Sequence, residues 1–296
     1  MTSTCLNTRE VAAATAGRLR EWVEAELARG AVPSPRSDAV ALTSYVCGWD
    51  AGELAKHVRD AVPTDAFERV AALTGRRAGG EPLQLITGAA PFLELSLAVA
   101  PGVFIPRPET EGLALRAEES IAAEDAPVIV DLFAGVGPVA VRLARRRPDA
   151  RVVAVELDER ASSLLRDNAS AYGVRVDVIV GDVRDEGFTS RLPTADLVVA
   201  NPPYVETAII PTLPAEVRDW EPRAALDGGD DGLFFYPIIA ALAAKILRDG
   251  GVALVEIGET LGDSVSDIFS AVGDVEVGHD LAGRDRYVRA RKGTGI

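Results

Sequence analysis

Cysteine and histidine are nearly missing from this chain. There are two of each, Cys5, Cys47, His57 and His279. Their spacing fits no zinc pattern, so a metal site is not expected. Two cysteines cannot build a disulfide framework, which points to a reducing, cytoplasmic setting. Long apolar runs are lacking too. No stretch reaches the ~18 residues that span a membrane. The N-terminus has no basic region followed by an apolar run, so no signal peptide is expected. Positive charge is in deficit: 31 Lys and Arg stand against 45 Asp and Glu, a net charge of −14. Gripping phosphate backbones over a wide face needs the opposite balance, so direct nucleic-acid binding is not expected. The triplet Arg145-Arg146-Arg147 falls in a helical pattern and reads as a solvated helix end. What is present is a globular composition, 48% hydrophobic over 296 residues, enough to bury a sizeable core.

Residues 9 to about 75 show helical spacing in four stretches, with Gly30 ending the first. Ser37 is a candidate N-cap and Gly48 a stop for the second. This gives a helical domain over residues 1–80, either a packing cap or a partner-docking unit. Residues 81–108 turn extended and read as a hairpin and linker, with Pro101-Gly102 as its turn. Over residues 109–296 strands and helices alternate. "PVIVDLF", "RVVAVEL", "RVDVIVGD", "ADLVVAN" and "GVALVEIG" are strands, and "VEVGHD" and "DRYVRAR" can close the sheet. Pro138 starts the first helix between them, and Pro237 disturbs a later one. Apolar strands separated by helices imply an α/β fold with a doubly wound, mostly parallel sheet.

In such a sheet, ligands bind beyond the carboxyl ends of the strands. Three features gather there. The turn Phe133, Ala134, Gly135, Val136, Gly137 follows the first strand, and its glycines permit close backbone approach. It is neither a G-x-G-x-x-G nor a Walker loop. Glu156 ends the second strand, where a carboxylate can accept ribose hydroxyls. Asp182 follows the third strand, placed to meet an adenine edge. A nucleoside without a large phosphate group suits this set, and S-adenosylmethionine fits.

The fourth strand runs into "NPPY", Asn201 to Tyr204. Prolines cannot continue a central strand, so the strand stops and the chain turns rigidly. The Asn201 side chain and the Pro202 carbonyl are acceptors able to hold a planar NH2 group, and Tyr204 supplies an aromatic wall. Such acceptors raise electron density on a poorly nucleophilic amide nitrogen and aim its lone pair.

"NPPY" together with "EPLQLITG", "PGVFIPRPETE", "EVRDWEPRAALDGGDDGLFFY" and "LAGRDRYVRAR" resembles the HemK/PrmC family, over about residues 35 to 292. That family methylates glutamine N5 of the GGQ motif in peptide-chain release factors. The resemblance implies a seven-stranded Rossmann-like methyltransferase sheet with a small N-terminal helical domain that helps to hold the release factor. It implies that Asn201, Pro202, Pro203 and Tyr204 bind the glutamine amide, with Asn201, Pro202 and Tyr204 catalytic. It implies that Phe133 to Gly137, Glu156, Asp182, Val183 and Asn201 surround S-adenosylmethionine, with Arg107 and Glu109 ordering the pocket or forming an ion pair. The family usually has D-L-G-T-G-S-G in the first turn; here Phe133, Ala134 and Pro138 depart from it. A small-molecule acceptor is therefore the alternative, and a nucleic-acid adenine methyltransferase a weaker one.

Overall fold

The computed structural model describes residues 15–280 and 282–293. Two compact units emerge. One comprises the chain up to Gly88 together with Ala215–Trp220; the other comprises Ala89–Pro214 and the chain from Glu221 onward.

The first unit is helical: α1 (Ala16–Arg29), α2 (Pro35–Cys47), α3 (Ala51–Lys56), α4 (Ala66–Ala78) and the single turn α5 (Leu83–Thr87). Residues 9–14 of the expected first helix, and Cys5, lie outside the described residues. The N-cap of α2 is Ser34, not the expected Ser37. Pro35, with φ already fixed near the helical value, occupies its first turn and draws the start upstream. Helix α3 opens with a capping box, Asp50 and Glu53 satisfying each other's backbone N–H. Leu19, Val23, Leu27, Leu42 and Val70 pack at the centre of the bundle.

The second unit begins with a hairpin, β1 (Ala89–Phe92) and β2 (Leu95–Ala98). Its turn is Leu93-Glu94, not Pro101-Gly102. A distant contact fixes it: the Leu93 N–H donates to Glu111 Oε1 at 2.8 Å. Helix α6 (Pro108–Ser120) leads into the sheet. Then come β3 (Val128–Leu132), α7 (Pro138–Arg146), β4 (Arg151–Glu156), α8 (Glu159–Ala171), β5 (Asp177–Val180) and β6 (Ala195–Ala200). The short α9 (Ala215–Arg218) belongs to the helical unit. Last are α10 (Tyr236–Ile246), β7 (Leu247–Glu256), α11 (Gly262–Phe269), β8 (Gly273–His279) and β9 (Asp285–Lys292). Pro237 does not disturb α10; it sits in the first turn, where no N–H is missed. Arg146 and Arg147 are not simply solvated either: Arg146 pairs with Glu118, and Arg147 binds the carbonyls of Ile121 and Glu124.

The sheet has seven strands in the order β5-β4-β3-β6-β7-β9-β8. Strands β3 to β7 are mutually parallel, and β9 runs antiparallel to both its neighbours. Strand alternation buries both faces. Val130, Val153 and Val198 face α10, while Ile129, Val152 and Leu197 face α6, α7 and α8. Strand order reverses at β3, with β4 on one side and β6 on the other. This makes the carboxyl ends of β3 and β6 the crevice where a ligand enters.

Candidate active site

The turn after β3 is built from unusual backbone. Phe133, Gly135 and Gly137 all have positive φ, of 59°, 54° and 91°. The Ala134 N–H donates to the Val155 carbonyl at 3.0 Å, and the Gly135 N–H to Glu156 Oε2 at 2.7 Å. Glu156 also accepts from the Asp158 N–H at 2.8 Å. The carboxylate at the end of β4 therefore supports the turn from beneath. A Cβ on Gly137 would lie 2.8 Å from Leu165 Cγ, so that glycine is needed for helix packing. A Cβ on Gly135 would meet nothing within 4 Å, because that residue faces open space.

That space is a cleft. Phe133, Ala134, Gly135 and Val136 line it with Pro138 and Val139 from the start of α7. Phe104, Pro106 and Thr110 close one side, and Asp131 and Asn201 contribute from the ends of β3 and β6. The structure thus brings four residues of the predicted first turn together with Asn201. Phe133 turns its ring edge against Phe235, with centroids 5.1 Å apart. Other predicted residues stand outside this lining. Glu156 supports the turn, and Asp182 is ion-paired with Arg184 at 2.5 Å. Val183 packs against the core. Arg107 pairs with Glu221 at 2.5 Å and lies over the Phe104 ring, 5.1 Å from its centroid.

Two buried acids were not singled out from sequence. Asp131 is 3% exposed, and its Oδ2 has no hydrogen-bond partner among the described residues. Burial, reinforced by the charge of Glu156, pushes its carboxyl up to about 8 against a backbone hydrogen bond from Ala140. Glu256 ends β7, beside the end of β6. Burial raises its carboxyl to about 7. Its signal in the sequence was a lone acid closing the apolar run Val252 to Val255. Thr110 sat unremarked inside the linker motif.

The NPPY segment follows β6 directly. Asn201 Nδ2 donates to Thr110 Oγ1 at 2.9 Å. The Tyr204 hydroxyl is 3.3 Å from Glu256 Oε1. Burial, with the charge of Glu256, pushes the phenol's pKa upward and keeps it protonated. Behind the turn, the Val205 N–H donates to the Leu226 carbonyl and the Gly228 N–H to the Val205 carbonyl. Gly228 packs so closely that a Cβ there would lie 2.6 Å from Tyr204 Cα.

Comparison with known proteins fits this arrangement. Residues 18–88 match the PrmC N-terminal domain, and residues 94–212 match the Methyltransferase small domain. The chain is 43% identical to the release factor glutamine methyltransferase of Mycolicibacterium smegmatis, over 93% of this chain and 98% of that protein. It belongs to the release factor glutamine methyltransferase family. The enzyme of that name from Streptomyces coelicolor is 42% identical over 90% of this chain and 94% of its own length. A methyltransferase from Pyrococcus furiosus superimposes with a TM-score of 0.50 at 16% identity, covering 68% of this chain and 91% of that one, and shares the fold. The cofactor of a methyltransferase in this family is S-adenosylmethionine. The cleft fits it: the unpartnered Oδ2 of buried Asp131 suits an ammonium group, and Gly135 leaves room for close backbone approach. Among the described residues, no helix is long and apolar enough to cross a membrane.

Proposed function

We propose that this protein transfers the methyl group of S-adenosylmethionine to the side-chain amide N5 of the glutamine in the GGQ motif of a peptide-chain release factor. The observation that carries this reading is the setting of Asn201. Its NH2 is turned back onto Thr110, so its Oδ1 remains as an acceptor at the cleft.

S-adenosylmethionine, when bound, supplies an electrophilic methyl on a sulfonium. Asp131 would hold its ammonium, Glu156 its ribose hydroxyls, and Asp182 and Val183 its adenine edge. The first turn, Phe133 to Gly137, shapes the wall between them. Arg107 acts through Phe104, which it covers. Asn201 Oδ1 and the Pro202 carbonyl take the two N–H groups of the acceptor amide. That fixes the plane of the amide, raises electron density on its nitrogen and aims its lone pair into the cleft. Pro203 stiffens the turn and Tyr204 walls the amide plane. Residues 1–80 dock the release factor, residues 81–108 link, and residues 109–296 carry the chemistry.

The test is labelled S-adenosylmethionine with purified release factor, native or with its GGQ glutamine changed to alanine. Label on the native factor alone supports the reading. Equal label on both, or none with the cofactor bound, defeats it.

A further inference from the structure

A primary amide presents an oxygen and a nitrogen of nearly equal size, so Asn201 could face the cleft with either. What lies behind it decides. Nδ2 meets Thr110 Oγ1, and Thr110 is 2% exposed. A threonine hydroxyl has one proton to give. The Thr110 hydroxyl faces the Glu256 carboxyl and favours its charged form. Glu256 is itself 2% exposed, and its Oε2 has no hydrogen-bond partner among the described residues, which leaves it open to a proton from Thr110. The ladder explains the meeting: Ala200 pairs with Val255, so the next residues, Asn201 and Glu256, leave their strands side by side. Tyr204 reaches the same carboxyl from the other end of the NPPY turn, and the Tyr236 hydroxyl donates to the Glu256 carbonyl at 3.0 Å.

Building on the reading above, we propose that Glu256 is the positioning residue of the catalytic turn. Acting through Thr110, its carboxylate locks the Asn201 amide with Nδ2 inward and Oδ1 toward the cleft, and by direct contact it anchors Tyr204. The logic is directional. An ionised carboxylate only accepts, so Thr110 gives its proton to Glu256 and can then only accept from Asn201. Protonation of Glu256 removes that constraint. The Thr110 proton can turn to Asn201, and the amide can invert, placing its own NH2 against the acceptor's NH2.

The groups facing Glu256 set where this happens. Burial raises its pKa, and Glu109 on α6 adds to the rise. Thr110, Tyr204 and Arg286 on β9 oppose it, the net result being about 7. Tyr236, on α10, is itself raised, chiefly by burial, and stays neutral. The locked form is the ionised one, so turnover rises as pH climbs through this value.

Two measurements test the proposal. In cofactor-free wild-type protein, the 15N side-chain resonance of Asn201, assigned by its loss in Asn201→Ala, shifts with a midpoint near pH 7. Glu256→Gln abolishes that titration. In the methylation assay, Glu256→Gln and Thr110→Val each lower kcat by about 10- to 100-fold, the scale of a lost positioning contact. Cofactor affinity holds in both, and the rise through pH 7 disappears. Thr110→Ser, which keeps the hydroxyl, retains both rate and profile. An Asn201 resonance that does not titrate in wild type, or a Glu256→Gln enzyme with wild-type kcat and pH profile, overturns the proposal. If wild-type protein leaves the release factor unlabelled, the function reading fails, and the resonance titration still decides the role of Glu256.

Discussion

Asn201 carries the most weight of any single residue in the proposed chemistry. Asn201→Ala removes one acceptor for the reacting amide, so turnover falls by ~10²-fold or more while cofactor binding persists; a rate near wild type would remove it from the mechanism. Phe133 poses a different problem. It holds a left-handed backbone (φ 59°), where an L side chain costs roughly 1–2 kcal/mol and glycine nothing. Edge-to-face packing on Phe235 offsets this by about 0.5–1.5 kcal/mol. Truncating the ring separates the two effects. Phe133→Ala loses the contact and keeps the strain, whereas Phe133→Gly loses both. The glycine variant is therefore more stable than the alanine variant, by about 1 kcal/mol in urea unfolding. Asp131 is testable through pH. Its folded pKa, about 8, lies above the ordinary carboxylate value. Below pH ~4 both folded and unfolded chains carry the proton, and the site costs nothing. As pH rises toward 8, the unfolded chain releases its proton first and folded stability drains away. In cofactor-free protein, Asp131→Asn gains on wild type steadily between pH 5 and 8. Because an ammonium group would stabilise the ionised acid, the same variant binds S-adenosylmethionine more weakly. Parallel stability curves would refute the buried acid's cost.

At the scale of elements, periodicity made the sheet readable. All seven strands coincide with stretches picked out in the sequence. The central ones are apolar runs because a strand buried on both faces must be apolar throughout, as Val152 to Val155 are, whereas β8 and β9 are largely unburied and carry charged residues between apolar ones. Boundaries were legible where local chemistry decides them. Asp158 accepts from two N–H groups at the start of α8, and Gly48 ends α2 in the left-handed region. They were illegible where tertiary contacts decide. Glu111 moves the hairpin turn to Leu93-Glu94, and nothing local announces it. The candidate site divides the same way. Gly135 and Asn201 sit in recognisable turns, whereas Thr110 and Glu256 matter only because α6 and β7 converge behind β6. The segment from Leu226 to Gly232 lay within a stretch that carried the family resemblance, but its role as a clamp on the NPPY turn was not visible there. That role is testable at Gly228. A methyl there meets Tyr204 Cα at 2.6 Å and the Pro203 carbonyl oxygen at 2.9 Å, both backbone, so the turn itself must move. Gly228→Ala lowers kcat by about 10- to 100-fold, as a displacement near 1 Å does, with cofactor affinity kept. A kcat within twofold of wild type would show that the loop does not fix the turn.

Across the whole molecule, the chain does not divide at one point. After the NPPY turn it contributes Ala215–Trp220 to the helical unit and then returns. Arg77 ties that insertion down. It is buried, and it pairs with Asp38 at 2.7 Å and Glu216 at 2.9 Å while donating to the Glu81 carbonyl. Replacing it with an apolar side chain of similar length strands a buried carboxylate. Removing one partner of a buried pair costs about 3–5 kcal/mol, and the partly exposed Glu216 recovers some of that through water. The cost falls on the helical unit. In the proposed site the cofactor is held by the other unit, whose stability then rises by about 2.7 kcal/mol at a hundredfold excess over Kd. Calorimetry can tell these apart. Arg77→Met lowers the transition of the helical unit, and S-adenosylmethionine raises only the transition of the sheet unit, in wild type and variant alike. A single transition that both perturbations move by equal amounts would show that the two units unfold as one.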